Sequence, residues 1–231
     1  MTSIVIPDNV TSIGKTAFQS CNALASITIG NGVTSISEGT FYNCDALTSI
    51  VIPDNVTSIG RNAFQNCDAL TSIIIPDNVT SIGSGAFSNC NALTSITVGD
   101  GISEIPESLC YNCNNLNEVK IGKNVKSIGG LAFYIKDGYH IDKFYCYATL
   151  PPKFSNFKSH TYLSSTTYKY NYCYPFSIHS EYYKDANYGS NGKLYGTTSE
   201  RTKIQTIYVP IRCLTEYKEK WKDVFTEIVE I

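Results

Sequence analysis

The sequence predicts an α/β repeat fold: a solenoid whose coils stack their strands into a parallel sheet, followed by a separate C-terminal capping segment. Three observations carry this. A 23-residue unit recurs almost unchanged, apolar residues alternate within each unit, and the C-terminal third abandons the period.

The recurrence is plain in residues 47–69 (LTSIVIPDNVTSIGRNAFQNCDA) and 70–92 (LTSIIIPDNVTSIGSGAFSNCNA), which are nearly identical. Units in the same phase begin at Met1, Leu24, Leu93 and Leu116. Cys21, Cys44, Cys67, Cys90 and Cys113 mark the period, as do Phe18, Phe41, Phe64 and Phe87; Leu109 and Phe133 are read as holding the Phe position in the last two copies. A partial seventh unit, Ile141 to Cys146, keeps the strand portion and ends at Pro151-Pro152.

One unit can be read residue by residue. Ile50 and Ile52 alternate with Ser49 and Val51, as a strand buried on one face requires. Pro53-Asp54-Asn55 is a turn, because proline sets φ and the two polar side chains bond local backbone. Val56 and Ile59 then turn inward, and the spacing of Ala63, Phe64 and Cys67 predicts a short helical turn after Gly60. Each coil thus aims Leu47, Ile50, Ile52, Val56, Ile59, Ala63, Phe64 and Cys67 at one interior. No coil of that size buries its own apolar face, so stacking is what makes it stable. Six or seven strands at about 4.8 Å each give a sheet roughly 30 Å long.

The consensus LTSIxIPDNVTSIGxxAFxxC resembles the BspA-like leucine-rich repeats of bacterial surface proteins, over Met1 to about Pro152. Thr206 to Pro210, with Tyr217, Trp221, Phe225 and an Ile-rich end, resembles the segment that terminates such solenoids. The resemblance implies a right-handed leucine-rich-repeat solenoid, export to the cell surface or medium, and adhesion to a protein or glycoprotein ligand. On this reading residues 1–152 are the solenoid, 153–203 a Tyr-rich insertion with a hairpin or two, and 204–231 the cap. Leu214, Tyr217 and Trp221 give the cap one face of an amphipathic helix.

Charge narrows the function. Residues 1–115 hold two basic and nine acidic residues, a net of −7, and residues 116–231 hold sixteen and eleven, a net of +5. The positive half has no Lys/Arg run, so no nucleic-acid partner is expected. No stretch of about 18 apolar residues offers a membrane span. A signal-peptide pattern is also missing at Met1, and the first coil has no polar cap before it. Upstream coils with an export signal, or end-to-end self-association through that edge, are therefore expected.

Nine cysteines raise a metal or disulfide reading. One cysteine per coil after AFxx, with no histidine beside it, is better explained by small buried hydrophobes. Cys110 and Cys113 have CxxC spacing without a second pair or a helix start. His140, His160 and His179 accompany no GxSxG, HExxH or phosphate-loop motif, so neither an enzyme nor a cofactor is predicted. Asn9, Asn55 and Asn78 sit in glycosylation sequons whose number follows from the repeat.

The candidate binding residues lie where the repeat changes character. Outward positions of the sheet are small or β-branched in the first five coils, and then become Glu118 and Lys120, followed by Lys143 and Tyr145. Lys120, Lys143 and Tyr145 therefore form a candidate hot spot. Tyr162, Tyr168, Tyr170, Tyr172, Tyr174, Tyr182 and Tyr183 in the insertion supply amphipathic contact area at low entropy cost, or else anchor the insertion to the solenoid. The leading function is a non-enzymatic, adhesin-like binding module. A rigid spacer that displays another domain, and a carbohydrate-binding domain using the tyrosines, are the alternatives.

Overall fold

The computed structural model describes residues 2–135, 140–154, 157–164, 167–174, 177–184, 193–201, 203–210, 213–221 and 225–231; side chains are described for 2–135, 141–154, 206–210, 213–221 and 227–231. Each coil after the first contributes two strands on opposite sides of the core, and the first adds one strand and an isolated bridge from Ile13 to Ile36. The long side is built from β1 (Ser3–Ile6), β2 (Ser26–Ile29), β4 (Ser49–Ile50), β6 (Ser72–Ile75), β8 (Ser95–Val98), β10 (Glu118–Ile121) and β12 (His140–Cys146). The short side is built from β3 (Ser35–Ile36), β5 (Ser58–Ile59), β7 (Ser81–Ile82), β9 (Glu104–Ile105), β11 (Ser127–Ile128) and β13 (Lys153–Phe154).

All pairings along the coils are parallel and keep the repeat in register, with Ser3 beside Ser26, Ser72 beside Ser95 and Ser95 beside Glu118. The period stretches at the end, where Glu118 pairs with Lys143 and Ser127 with Lys153. The hydrogen-bonded ladder of the long side is interrupted after β4, giving β1-β2-β4 and a second sheet that starts at β6. A bond from Thr71 N to Thr48 O still joins the coils across that step.

Between the two sides lies one long core, with a second small cluster at Leu131 and Tyr134 among the described residues. The eight inward residues of residues 47–69 are all buried, from Leu47 and Val56 at 0% to Ile50 at 8% exposed. Phe18, Phe41, Phe64 and Phe87 stack face to face with ring centroids 5.4, 5.2 and 5.1 Å apart. The thiols have a specific use. Cys44, Cys67, Cys90 and Cys113 each donate to the carbonyl of a Phe in the preceding coil, at 3.0–3.2 Å. A cysteine is small enough for the core and carries a donor that satisfies a buried acceptor.

Two expectations are corrected. After Gly60 the chain does not form a helical turn. Asn62 and Asn66 adopt φ of 53° and 60°, a left-handed region that breaks any helical run and that Asn tolerates. Between them the amides of Phe64 and Asn66 donate to Ala86 and Ser88 of the next coil instead of four residues back. The coils are therefore strand-and-turn, and the α/β character expected of the repeat is not seen in them. Second, Cys110, not Leu109, occupies the Phe position: Phe87 N bonds Leu109 O just as Phe64 N bonds Ala86 O, which places Leu109 at the Ala position. Both are fully buried. A small-large pair has become a large-small pair, a swap that keeps volume roughly constant.

Gly60 shows how closely the coils approach. A Cβ there would lie 2.6 Å from the carbonyl carbon of Ser37. The turns after the long strands also stack, Asn55 and Asn78 donating from their side-chain amides to Asn31 O and Asp54 O. Val56 and Val79 point into the core behind them.

Beyond β13 the chain forms a separate antiparallel sheet in strand order β14 (Phe157–Ser164), β15 (Thr167–Tyr174), β16 (Ser177–Lys184) and β17 (Lys193–Arg201). It then rejoins the long side. β18 (Lys203–Val209) pairs in parallel with β12, and β19 (Phe225–Glu230) with β18. Between them lies α1 (Leu214–Trp221), the sole α-helix among the described residues. Its Tyr217 is fully buried and donates to Ala148 O at 2.7 Å, with the Cys146 thiol 3.1 Å from the same hydroxyl. Trp221, 2% exposed, stacks on Phe154 at 4.9 Å.

Candidate binding surface

The outward face of the long side begins bland. Val5, Val51 and Ile74 stand 72%, 80% and 69% exposed among serines and threonines, where β-branched residues suit a pleated strand. Chemistry enters at β10. Lys120 Nζ lies 2.7 Å from Glu118 Oε1, on the same strand two residues away, and 5.3 Å from the centroid of the Tyr145 ring. Donating to the Glu118 carboxylate holds the Lys120 ammonium above its ordinary pKa, and burial opposes this. Lys120 is thus charged throughout the physiological range.

Tyr145 is the centre of the patch. Tyr208 of β18 stacks on it with centroids 4.5 Å apart and planes 13° from parallel, and the Tyr147 ring centroid lies 6.4 Å away. The contact follows from register, since Tyr145 and Tyr208 are direct cross-strand partners. Lys143, exposed, stands two residues before Tyr145 beside Glu118 on one side and Thr206 on the other. Of the residues singled out from sequence, Lys120 and Tyr145 are in contact, and Lys143 borders them. Tyr208 was missed. Its signal was the alternation Thr206-Ile207-Tyr208-Val209, which copies the pattern of Lys143-Phe144-Tyr145, but only the pairing brings the two strands together.

For the insertion, the backbone is described and the tyrosine side chains lie outside the described residues. The register sets Tyr168 opposite Tyr162 on one side and Tyr183 on the other, so three neighbouring strands carry tyrosine at one level. Tyr170 pairs with His160 and Glu181, Tyr172 with Lys158 and His179, Tyr174 with Ser177, and Tyr182 with Gly196. The hairpins expected from sequence are present as one continuous four-stranded meander.

The thiols have the opposite character to a reactive site. Burial pushes the pKa of Cys44 up to about 11, and those of Cys67, Cys90 and Cys113 further. Cys110 and Cys113 are both buried and free. Among the described residues no group of three His, Cys, Asp or Glu side chains could hold a metal ion, and no helix is long and apolar enough to cross a membrane.

Comparison with known proteins gives a consistent picture. The profile of the BspA type Leucine rich repeat region matches in six copies, over residues 1–68 and 34–169. Among solved structures the chain is similar to a leucine-rich repeat protein of T. pallidum, at 32% identity and a TM-score of 0.52, covering 55% of this chain and 58% of that one. It is also similar to a leucine-rich repeat protein from Bacteroides ovatus, at 20% identity and a TM-score of 0.48, covering all of this chain and 61% of that one. The pneumococcal vaccine antigen PcpA aligns at 23% identity and a TM-score of 0.48, over 64% of this chain and 36% of that one. This chain therefore spans about three fifths or less of the length of each of these relatives. No curated protein sequence matches it. With six profile copies extending over nearly three quarters of its length, and a stacked parallel-strand solenoid to match, the chain belongs to the BspA-type leucine-rich-repeat family.

Proposed function

We propose that this chain is a non-enzymatic, adhesin-like binding module, secreted or held at the cell surface, that recognises a protein or glycoprotein ligand. The observation that carries the reading is the patch of Lys120, Tyr145 and Tyr208 on a sheet face that is small or β-branched over its first five coils. Stacked tyrosines beside a lysine offer rigid amphipathic area with a charged rim, the composition of interface hot spots. Family membership supports the surface location, and the 153–203 insertion is assigned to specificity on the strength of its tyrosines.

In this arrangement the solenoid is right-handed, the hand favoured for parallel crossover connections, and residues 204–231 close it as a cap. Tyr217 and Trp221 supply the cap's contacts with the last coil. The test is surface-plasmon binding to a panel of extracellular-matrix glycoproteins, each intact and deglycosylated. Tyr145→Ala with Tyr208→Ala is expected to weaken whichever interaction is found by about tenfold or more, as loss of central anchors does. Unchanged binding in the double variant would move the site off the sheet, and binding lost on deglycosylation would assign the ligand to carbohydrate.

A further inference from the structure

A second surface lies away from the sheet patch, where α1 meets the short side of the last coils. An open groove of about 1090 Å³ runs there between the β11–β13 ledge, the loop before Lys153, and the helix. Lys123, Lys126, Lys153 and Lys220 line it, all exposed. Lys153 is tied next to Lys126 by a bond from its amide to the Lys126 carbonyl at 2.8 Å, so the backbone ladder sets two of the lysines side by side on adjacent coils.

The charge is largely uncompensated. Lys123 is paired with Asp100 at 2.7 Å, and Glu104 is the one carboxylate on the wall among the described residues. Lys126, Lys153 and Lys220 make no ion pair among the described residues. This cationic groove is lined mostly by the half of the chain with net charge +5, and Glu104 is what the half with −7 adds to it. An anionic ligand is therefore repelled by the first coils and steered to this end.

The rest of the lining decides the class of ligand. Leu150, 65% exposed, and Phe154, half-buried over Trp221, run beside the lysines. A uniformly hydrophilic polyanion would leave this apolar strip uncovered. Among the described residues the wall carries lysines and no arginine, and lysines act as point charges at adjustable reach. We propose that the groove binds an acidic peptide segment of a partner protein, extended and carrying apolar residues between its carboxylates. The lysines meet the carboxylates, and Leu150 and Phe154 take the apolar side chains. This proposal is independent of the sheet patch and goes beyond it.

The experiment uses the full chain and fluorescein-labelled peptides of repeating Glu-Leu-Glu and of Glu alone, with a sulfated dextran of similar length as competitor. Anisotropy is read at low and at physiological ionic strength, over which the Debye length falls from about 30 to about 8 Å. The mixed peptide is expected to bind more tightly than the all-Glu peptide, and salt to weaken both. Substituting Lys126, Lys153 and Lys220 together with Gln should reduce affinity for both peptides by about tenfold, while Tyr145→Ala with Tyr208→Ala changes neither. Leu150→Ser, at an exposed position that folding does not need, should abolish the preference for the mixed peptide and leave all-Glu binding intact. Equal binding by the triple-Gln variant would overturn the site. Tighter binding of the sulfated dextran than of the mixed peptide, lost in the same variant, would overturn the peptide assignment in favour of an anionic polysaccharide.

Discussion

The repeat cysteine is where a single side chain does two jobs. It fills a core position at 0% exposure and donates to a Phe carbonyl one coil back. Replacing Cys67 with Leu removes the donor and adds volume to a stacked column. A loss of about 1–3 kcal/mol is expected in urea unfolding. Thiol titration of the native protein should leave Cys44, Cys67 and Cys90 unmodified until denaturant is added; fast native labelling of all three would contradict their burial. The raised pKa values also set a pH dependence. An ordinary thiol in the unfolded chain ionises near 9.0, whereas Cys44 and Cys146 in the fold do so near 11. The folded state favours the protonated form, so this stability is complete below about pH 9 and is lost as pH rises through 11. Thermal melting should accordingly show a steady fall in midpoint above pH 9, absent at pH 6–8.

At the scale of elements, the coil is held by columns that run along the solenoid. Phe64 is sandwiched between Phe41 and Phe87, so Phe64→Ala opens a cavity with aromatic walls on both sides. About 3–5 kcal/mol should be lost in chemical denaturation. Phe18 is only half-buried at the end of its column, and Phe18→Ala should cost clearly less. The helix has its own anchor. Tyr217→Phe leaves the buried Ala148 carbonyl without its 2.7 Å donor, a loss of roughly 1–3 kcal/mol. Hydrogen exchange should localise that loss to α1 and the segment around Cys146, leaving the first coils protected as before.

For the whole molecule, the four-stranded sheet of β14–β17 is inserted between β13 and β18, both of which pair with solenoid strands. Excising 155–202 and bridging the gap with a short Gly-Ser linker retains Phe154, whose ring stacks on Trp221. The shortened chain should keep a cooperative unfolding transition and the far-ultraviolet signature of the solenoid. If the insertion carries specificity, binding to any matrix ligand found for the full chain should fall to background in it. Retention of full affinity would instead leave recognition to the repeats.

The 23-residue period, the burial of every inward residue from Leu47 to Cys67, and the free state of Cys44, Cys67, Cys90 and Cys113 follow from the amino-acid pattern alone. Each is a statement about which face of a coil a residue occupies, and periodicity reports that directly. Lys120 and Tyr145 were legible for the same reason, as outward positions where the chemistry changes. Other features depend on which coil lies next to which. The amides around Asn62 and Asn66 abandon helical geometry because the neighbouring coil offers carbonyls at the right height, a partner that no local window contains. Cys110 holds the Phe position 23 residues after Phe87, a phase that the exchange of large and small residues disguises in the sequence and the intercoil bonds make plain. Tyr208 meets Tyr145, and Lys220 meets Lys126 and Lys153, across 63 residues and more than 60 respectively. Such pairings are set by the closure of β18 and α1 onto the last coil. Local pattern determines what each coil buries, and only the packing of the C-terminal segment decides which exposed groups become a surface.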